Sequence, residues 1–169
     1  LSDELTFHGN FNKNIDQPNI LLLLPRTRGP IGIKKFKNKI EKNFNLLEYD
    51  DVLSEKSKIF NQLETTSLKQ KALAVNKALK KWKEIEYHII CHSTGCGLGT
   101  FLAKANKKAC KSLVFISPWN KKDKDFKSAQ EERVKNAKRL DFISFLKSEC
   151  DLLYSANYLD KFQNQFCCY

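Results

Sequence analysis

One stretch, Glu86 to Asn106, constrains this chain more than any other: EYHIICHSTGCGLGTFLAKAN. Tyr87-His88-Ile89-Ile90-Cys91 has the length and apolar character of a short buried strand. A tight turn at His92-Ser93-Thr94 follows, and a helix opens at Gly95. Leu98, Phe101, Leu102 and Ala105 recur at helical spacing and predict one apolar face for that helix.

The residue types in the turn point to nucleophilic chemistry. A serine hydroxyl is a poor nucleophile unless it is positioned and activated. A strained turn pushes its oxygen out above the sheet edge, and the backbone then passes close to the neighbouring strand and helix. The residues two before and two after must be small, as Cys91 and Gly95 are, while Gly97 and Gly99 let the helix pack tightly beneath. The helix start adds partial positive charge and free N–H groups beside a developing oxyanion. Cys91-His92-Ser93-Thr94-Gly95 therefore reads as a nucleophile elbow, with cysteine at a position usually held by glycine. Two alternatives share the pattern. A dinucleotide site also begins with a strand and a glycine-rich helix start, but Thr100 stands where G-x-G-x-x-G needs its last glycine. It also wants an acidic residue about 20 positions on, where the next strand ends Ile116-Ser117-Pro118. The other alternative is a strand-turn-helix with a structural role alone.

At 169 residues one domain is the default, with chain enough for a real core. The net charge of +11 raises the question of nucleic acid. It is nearly all lysine, scattered through every segment, and the arginines are Arg26, Arg28, Arg133 and Arg139. Phosphate recognition favours arginine forks and clustered patches, so solvated lysine faces are expected and no nucleic-acid partner. No apolar run approaches the roughly 18 residues of a membrane span, and the first residues, Leu1-Ser2-Asp3-Glu4, carry no export signal. The six cysteines form no C-x-x-C pair and the three histidines lack metal-ligand spacing, so neither metal nor cofactor is expected. Free thiols in apolar surroundings fit a reducing cytoplasm. The absence of methionine, even at position 1, suggests an excerpt of a longer reading frame or a processed product.

Taken in order, Leu5 to Phe11 predicts a short edge strand, and Asn19 to Leu24 a strand buried on both faces. PRTRGPIG, Pro25 to Gly32, is an irregular loop. A helix follows from Ile33, with Ile33, Phe36, Ile40 and Phe44 on one side, and Phe44 to Tyr49 makes the next strand. Ser67-Leu68-Lys69-Gln70 is a capping box before Leu68, Ala72, Val75, Leu79 and Trp82, which predict one long helix. After the elbow, Ser112 to Ile116 reads as another buried strand. Such alternation implies an α/β architecture, a parallel sheet with helices on both faces. Ser93 would stand beyond the carboxyl end of its strand, where such sheets place their sites. Residues from Lys121 to Tyr169 read as helices and turns.

The chain resembles the amino-terminal part of an α/β-hydrolase over nearly all its length. CHSTGCGLG resembles that family's G-H-S-x-G-G elbow, NILLLLPRTRG occupies the place of its oxyanion loop, and FNLLEYDD that of its next strand. SLVFISPW and the helical stretch after it resemble the cap of the enol-lactonase-like branch, within which the aminoacrylate hydrolases of pyrimidine utilisation are nearest. The resemblance implies a mostly parallel sheet, incomplete, in residues 1–119 and a helical cap segment in 120–169. It implies Ser93 as nucleophile, the backbone N–H groups of Thr94 and Arg26 as oxyanion donors, and Trp119 as a substrate-binding wall. Pro25-Arg26-Thr27-Arg28 replaces the usual H-G-x-G-like loop, and Asp51-Val52-Leu53-Ser54 replaces an arginine-glycine motif. The family's acid and histidine lie after the cap, on later strands, hence beyond Tyr169.

His88 lies within the strand, His92 adjoins the serine, and His8 lies on the edge segment; none substitutes easily as the base. The expectation is a cytoplasmic serine hydrolase acting on a small ester, lactone or amide-like substrate, truncated and inactive as it stands. The alternative is an inactive member of the fold serving as a binding or interaction module. The oligomeric state is not legible.

Overall fold

The structure, a computed structural model, describes residues 7–24, 30–49, 67–82, 84–119, 121 and 123–166. Its chain falls into two compact units, Leu1–Trp119 and Asn120–Tyr169.

The first unit is a five-stranded sheet. Its strands are β1 (Phe7–Gly9), β2 (Asn19–Leu23), β3 (Asn45–Tyr49), β4 (Tyr87–His92) and β5 (Cys110–Ile116). They lie in the order β1-β3-β2-β4-β5, with β1 antiparallel to β3 and all other neighbours parallel. β2 is buried at all five positions because it has strands on both edges and helices on both faces. Its alternation divides the core. Leu21 and Leu23 join Leu47, Ile89 and Cys91 under α2 (Leu68–Leu79) and α3 (Thr94–Ala105). Ile20 and Leu22 join Leu46 and Ile40 of α1 (Pro30–Ile40) on the other face. The fold class is thus α/β, mostly parallel, with helices on both faces.

Local chemistry explains the boundaries. α1 opens on Pro30, whose fixed φ and missing N–H suit the first helical turn. At α2 the Ser67 hydroxyl accepts from the Gln70 N–H at 3.2 Å, and Gln70 Oε1 accepts from the Ser67 N–H at 2.9 Å. That is the capping box read from the sequence. The helix ends earlier than its periodicity suggests, since Lys80–Trp82 tighten into a 3-10 turn. Trp82 there donates its indole N–H to Asn10 Oδ1 at 3.0 Å and packs edge-on against Phe7 and Phe11.

Two buried asparagines begin β2 and β3 and stitch the preceding loop under the amino ends of the strands. Asn19 accepts from the Asn12 N–H at 2.8 Å and donates to the Glu86 carbonyl at 3.0 Å. Asn45 accepts from the Asn14 N–H at 2.8 Å and donates to the carbonyls of Asn14 and Gln17 at 2.7 and 2.8 Å.

Three expectations about burial are corrected. β5 is not a buried strand: Val114 is 47% and Phe115 44% exposed. It is the last strand of the described sheet, paired with β4 on one edge. On α3 the buried stripe is Gly95, Cys96, Leu98, Gly99 and Leu102, while Phe101 and Ala105 are exposed. The helix lies against β2, β4 and β5, so its inward face is the one carrying glycines, and Phe101 flanks it. Likewise Phe36 of α1 is exposed, while Ile40 reaches the core.

The second unit contains α4 (Lys124–Arg139), α5 (Phe142–Leu153) and α6 (Ala156–Phe166). Asp123 and Asp141 cap α4 and α5, accepting from the N–H groups of Phe126 and Ser144. Arg133 joins α4 to α5 through a two-armed contact with Glu149, its Nε donating at 2.8 Å.

Candidate active site

Strand order fixes where a site belongs. From β2 the chain moves through α1 to β3 on one side, then through α2 to β4 on the other. The crevice beyond the carboxyl ends of β2 and β4 is therefore the topological switch point, where open α/β sheets bind ligands. β4 ends at His92, α3 begins at Thr94, and Ser93 is the residue between them.

Ser93 has φ 51° and ψ −119°. A positive φ in a non-glycine residue costs of order 1–3 kcal/mol and persists only where surrounding contacts hold it. Here they are specific. The Ser93 N–H donates to the Ile116 carbonyl at the end of β5, and the Ser93 carbonyl accepts from the Cys96 N–H, both at 3.0 Å. Gly95 lets the first turn of α3 sit on the end of β2, since a Cβ there would lie 2.3 Å from the Leu23 carbonyl oxygen. Only glycine fits that approach.

Serine at the start of a helix ordinarily caps it, accepting from an N–H of the first turn. Ser67 does so from φ −66°, whereas Ser93 makes no side-chain cap bond. The turned backbone withdraws its hydroxyl from the helix. The N–H of Thr94, in the first turn of α3, is among the donors that helix geometry leaves without an intrahelical acceptor. Arg26, the other expected oxyanion donor, lies outside the described residues, as does the Asp51–Ser54 segment. Trp119 is 39% exposed, three residues beyond the Ile116 carbonyl that holds Ser93.

The histidines are not gathered at Ser93. His88 has Nδ1 2.8 Å from Ser112 Oγ across the β4–β5 pair, and it precedes Ser93 by about 16 Å of strand. His8 is on β1, three strand spacings from β4, or roughly 14 Å. His92 is half-buried, and strand alternation puts it on the same face as His88 and Ile90, the face that carries α1. Among the described residues no group of three His, Cys, Asp or Glu side chains is placed to hold a metal ion. No helix of the described residues is long and apolar enough to cross a membrane.

Two thiols at the elbow have a larger part than core filling. Cys91 Sγ donates to the Val114 carbonyl at 3.2 Å. Cys96 Sγ lies 3.4 Å from the Cys91 carbonyl and 3.6 Å from that of Ile116. Burial, and then the neighbouring Cys96 thiol, push the Cys91 thiol up to about 12, so it stays protonated. Their positions two before and three after the serine were the signal in the sequence. Ser117, after β5, also has a positive φ, 50°.

Known structures share the fold. An α/β hydrolase from a Medee basin deep-sea metagenome library superposes with a TM-score of 0.79 at 17% identity, over 95% of this chain and 58% of that one. The chain has the α/β-hydrolase fold. The enol-lactonase from Burkholderia xenovorans matches with a TM-score of 0.66 at 13% identity, over 96% of this chain and 61% of the enzyme. A carboxylesterase of the thaumarchaeon Nitrososphaera matches with a TM-score of 0.68 at 11% identity, over 90% and 56% respectively. The chain thus spans about three fifths of the length of these α/β-hydrolase-fold proteins. No protein-family model and no curated protein sequence matches it.

Proposed function

We propose that the chain belongs to a serine hydrolase acting on a small ester, lactone or amide-like substrate through an acyl-enzyme on Ser93. The observation that carries this reading is the backbone of Ser93, held at positive φ at the switch point with its hydroxyl uncommitted to capping. Esterase and enol-lactonase neighbours of the same fold support the substrate class. In the proposal Ser93 Oγ attacks the carbonyl carbon, and the N–H groups of Thr94 and Arg26 receive the oxyanion. A histidine from outside residues 1–169 takes the Ser93 proton and returns it to the departing alcohol or amine as the acyl bond breaks, while an acid, also from outside, orients that histidine. Trp119 contributes to the substrate wall, residues 1–119 form the core and 120–169 the cap segment, and the cell compartment is the cytoplasm.

The test is mass-spectrometric mapping of a fluorophosphonate probe on the purified chain, with and without imidazole as a diffusible base. The expected result is slow labelling at Ser93 that imidazole accelerates, and negligible turnover of a p-nitrophenyl ester without it. Labelling of Ser93 no faster than of Ser67 sinks the nucleophile. Rapid, Ser93-dependent turnover by the chain alone means that a histidine within it is the base. The second reading, a non-catalytic binding module of this fold, rests on the distances separating His8 and His88 from Ser93; it requires Ser93 to stay unlabelled with imidazole present.

A further inference from the structure

We infer that Cys96 is a positioning residue for Ser93, its thiol tying the first turn of α3 to the carboxyl ends of β4 and β5. The inference rests on the nucleophile reading of Ser93 and concerns a residue that reading does not use. The N–H and the thiol of Cys96 both close around the elbow. Its N–H donates to the Ser93 carbonyl at 3.0 Å. Its thiol is shared between the carbonyl of Cys91, two residues before the serine, and that of Ile116. The Ile116 carbonyl is also the acceptor of the Ser93 N–H. Its own carbonyl accepts from Thr100 Oγ1 at 2.8 Å, fixing the next turn of the helix.

Two strand ends and the helix start thus meet at one side chain that is 3% exposed. The G-H-S-x-G-G pattern has glycine at this position, which offers no side-chain donor. A thiol is small enough to fit under the turn and still reaches two carbonyls, though each S–H···O contact is weak. What it holds is a conformation that would otherwise relax, since the positive φ of Ser93 is unfavourable by itself.

Residue-resolved amide hydrogen exchange on the chain and on Cys96→Ala and Cys96→Ser tests this. Losing the thiol is expected to speed exchange of the Ser93 amide by roughly three- to tenfold, the worth of one ordinary hydrogen bond. Amides of Leu47 and Val75 should be unchanged, and the serine variant should restore at least half of the lost protection. Unchanged exchange at Ser93 in Cys96→Ala overturns the inference. So does an increase spread evenly over the sheet that serine does not correct, because the thiol then merely fills space. Cys96→Gly supplies a second thiol deletion should the alanine variant fail to fold. Exchange is read without substrate, so a local loss of protection on a chain whose Ser93 never labels removes the nucleophile and leaves the thiol tie standing.

Discussion

Ser67 and Ser93 begin two helices of one protein with opposite backbones, φ −66° and φ 51°. The first has its oxygen bonded to the helix; the second does not. Ser67→Ala should therefore cost about 1 kcal/mol of stability, as loss of a cap does, and leave probe labelling of Ser93 unaltered. At Ser93 the comparison is between alanine and glycine. Both remove the hydroxyl, but only glycine removes the Cβ that disfavours positive φ. Ser93→Gly is expected to be about 1 kcal/mol more stable than Ser93→Ala, read from paired thermal melts; equal midpoints would mean that the turn stores no strain. Tyr87 makes a different point. Its hydroxyl is buried with no hydrogen-bond acceptor among the described residues, while its ring stacks on Phe11 at 5.4 Å. Removing an unsatisfied polar atom relieves a desolvation cost, so Tyr87→Phe should match or exceed the native melting temperature. A clear loss would reveal an acceptor.

At the scale of elements, Gly95 decides how closely α3 approaches β2. A methyl group there meets backbone, 2.3 Å from the Leu23 oxygen and 2.9 Å from its carbon. Backbone does not give way as a side chain does, so Gly95→Ala should cost about 3 kcal/mol in chemical denaturation; a cost under 1 kcal/mol would show that α3 slides freely. Such elements were legible to different degrees. β2 announced itself because a strand buried on both faces is uninterrupted in apolar residues, and α2 because Ser67 and Gln70 mark its start. The strand-turn-helix around Ser93 was legible from the small residues flanking it. The orientation of α3 was legible in part: of the stripe Leu98, Phe101, Leu102 and Ala105 the two leucines are buried, whereas packing on β2, β4 and β5 selects the side with glycines over Phe101 and Ala105. β5 misled for a related reason: Leu113-Val114-Phe115-Ile116 has core composition, and composition does not count neighbouring strands. The thiol contacts of Cys91 and Cys96 depend on where the Val114 and Ile116 carbonyls fall, which is a matter of register between strands.

For the whole molecule, the pH dependence of stability has a definite sign. Burial raises Tyr87 from 10.0 to about 12, and burial with Cys96 raises Cys91 from 9.0 to about 12. Both groups are neutral when protonated, so the folded state holds protons that the unfolded chain releases first. Their contribution is complete below about pH 9 and is lost as pH climbs toward 12. Thermal melts should show a midpoint falling through that window, with a shallower fall in Cys91→Ala and Tyr87→Phe. A midpoint flat to pH 11 would place both groups in contact with water. The buried asparagines at the amino ends of β2 and β3 lead to a statement about tolerance. Asn19 and Asn45 work at the opposite end of the strands from Ser93. One end of the sheet holds the asparagine ties and the other the Ser93 turn where we propose the chemistry, with the strand interiors between them. A saturation library scored by cellular abundance should then be intolerant at Asn19 and Asn45 and permissive at the Ser93 hydroxyl. Scored by Ser93 labelling in soluble survivors, the same library should lose its signal at the elbow. Genetic drift along these strands would be filtered twice, by different pressures at opposite ends.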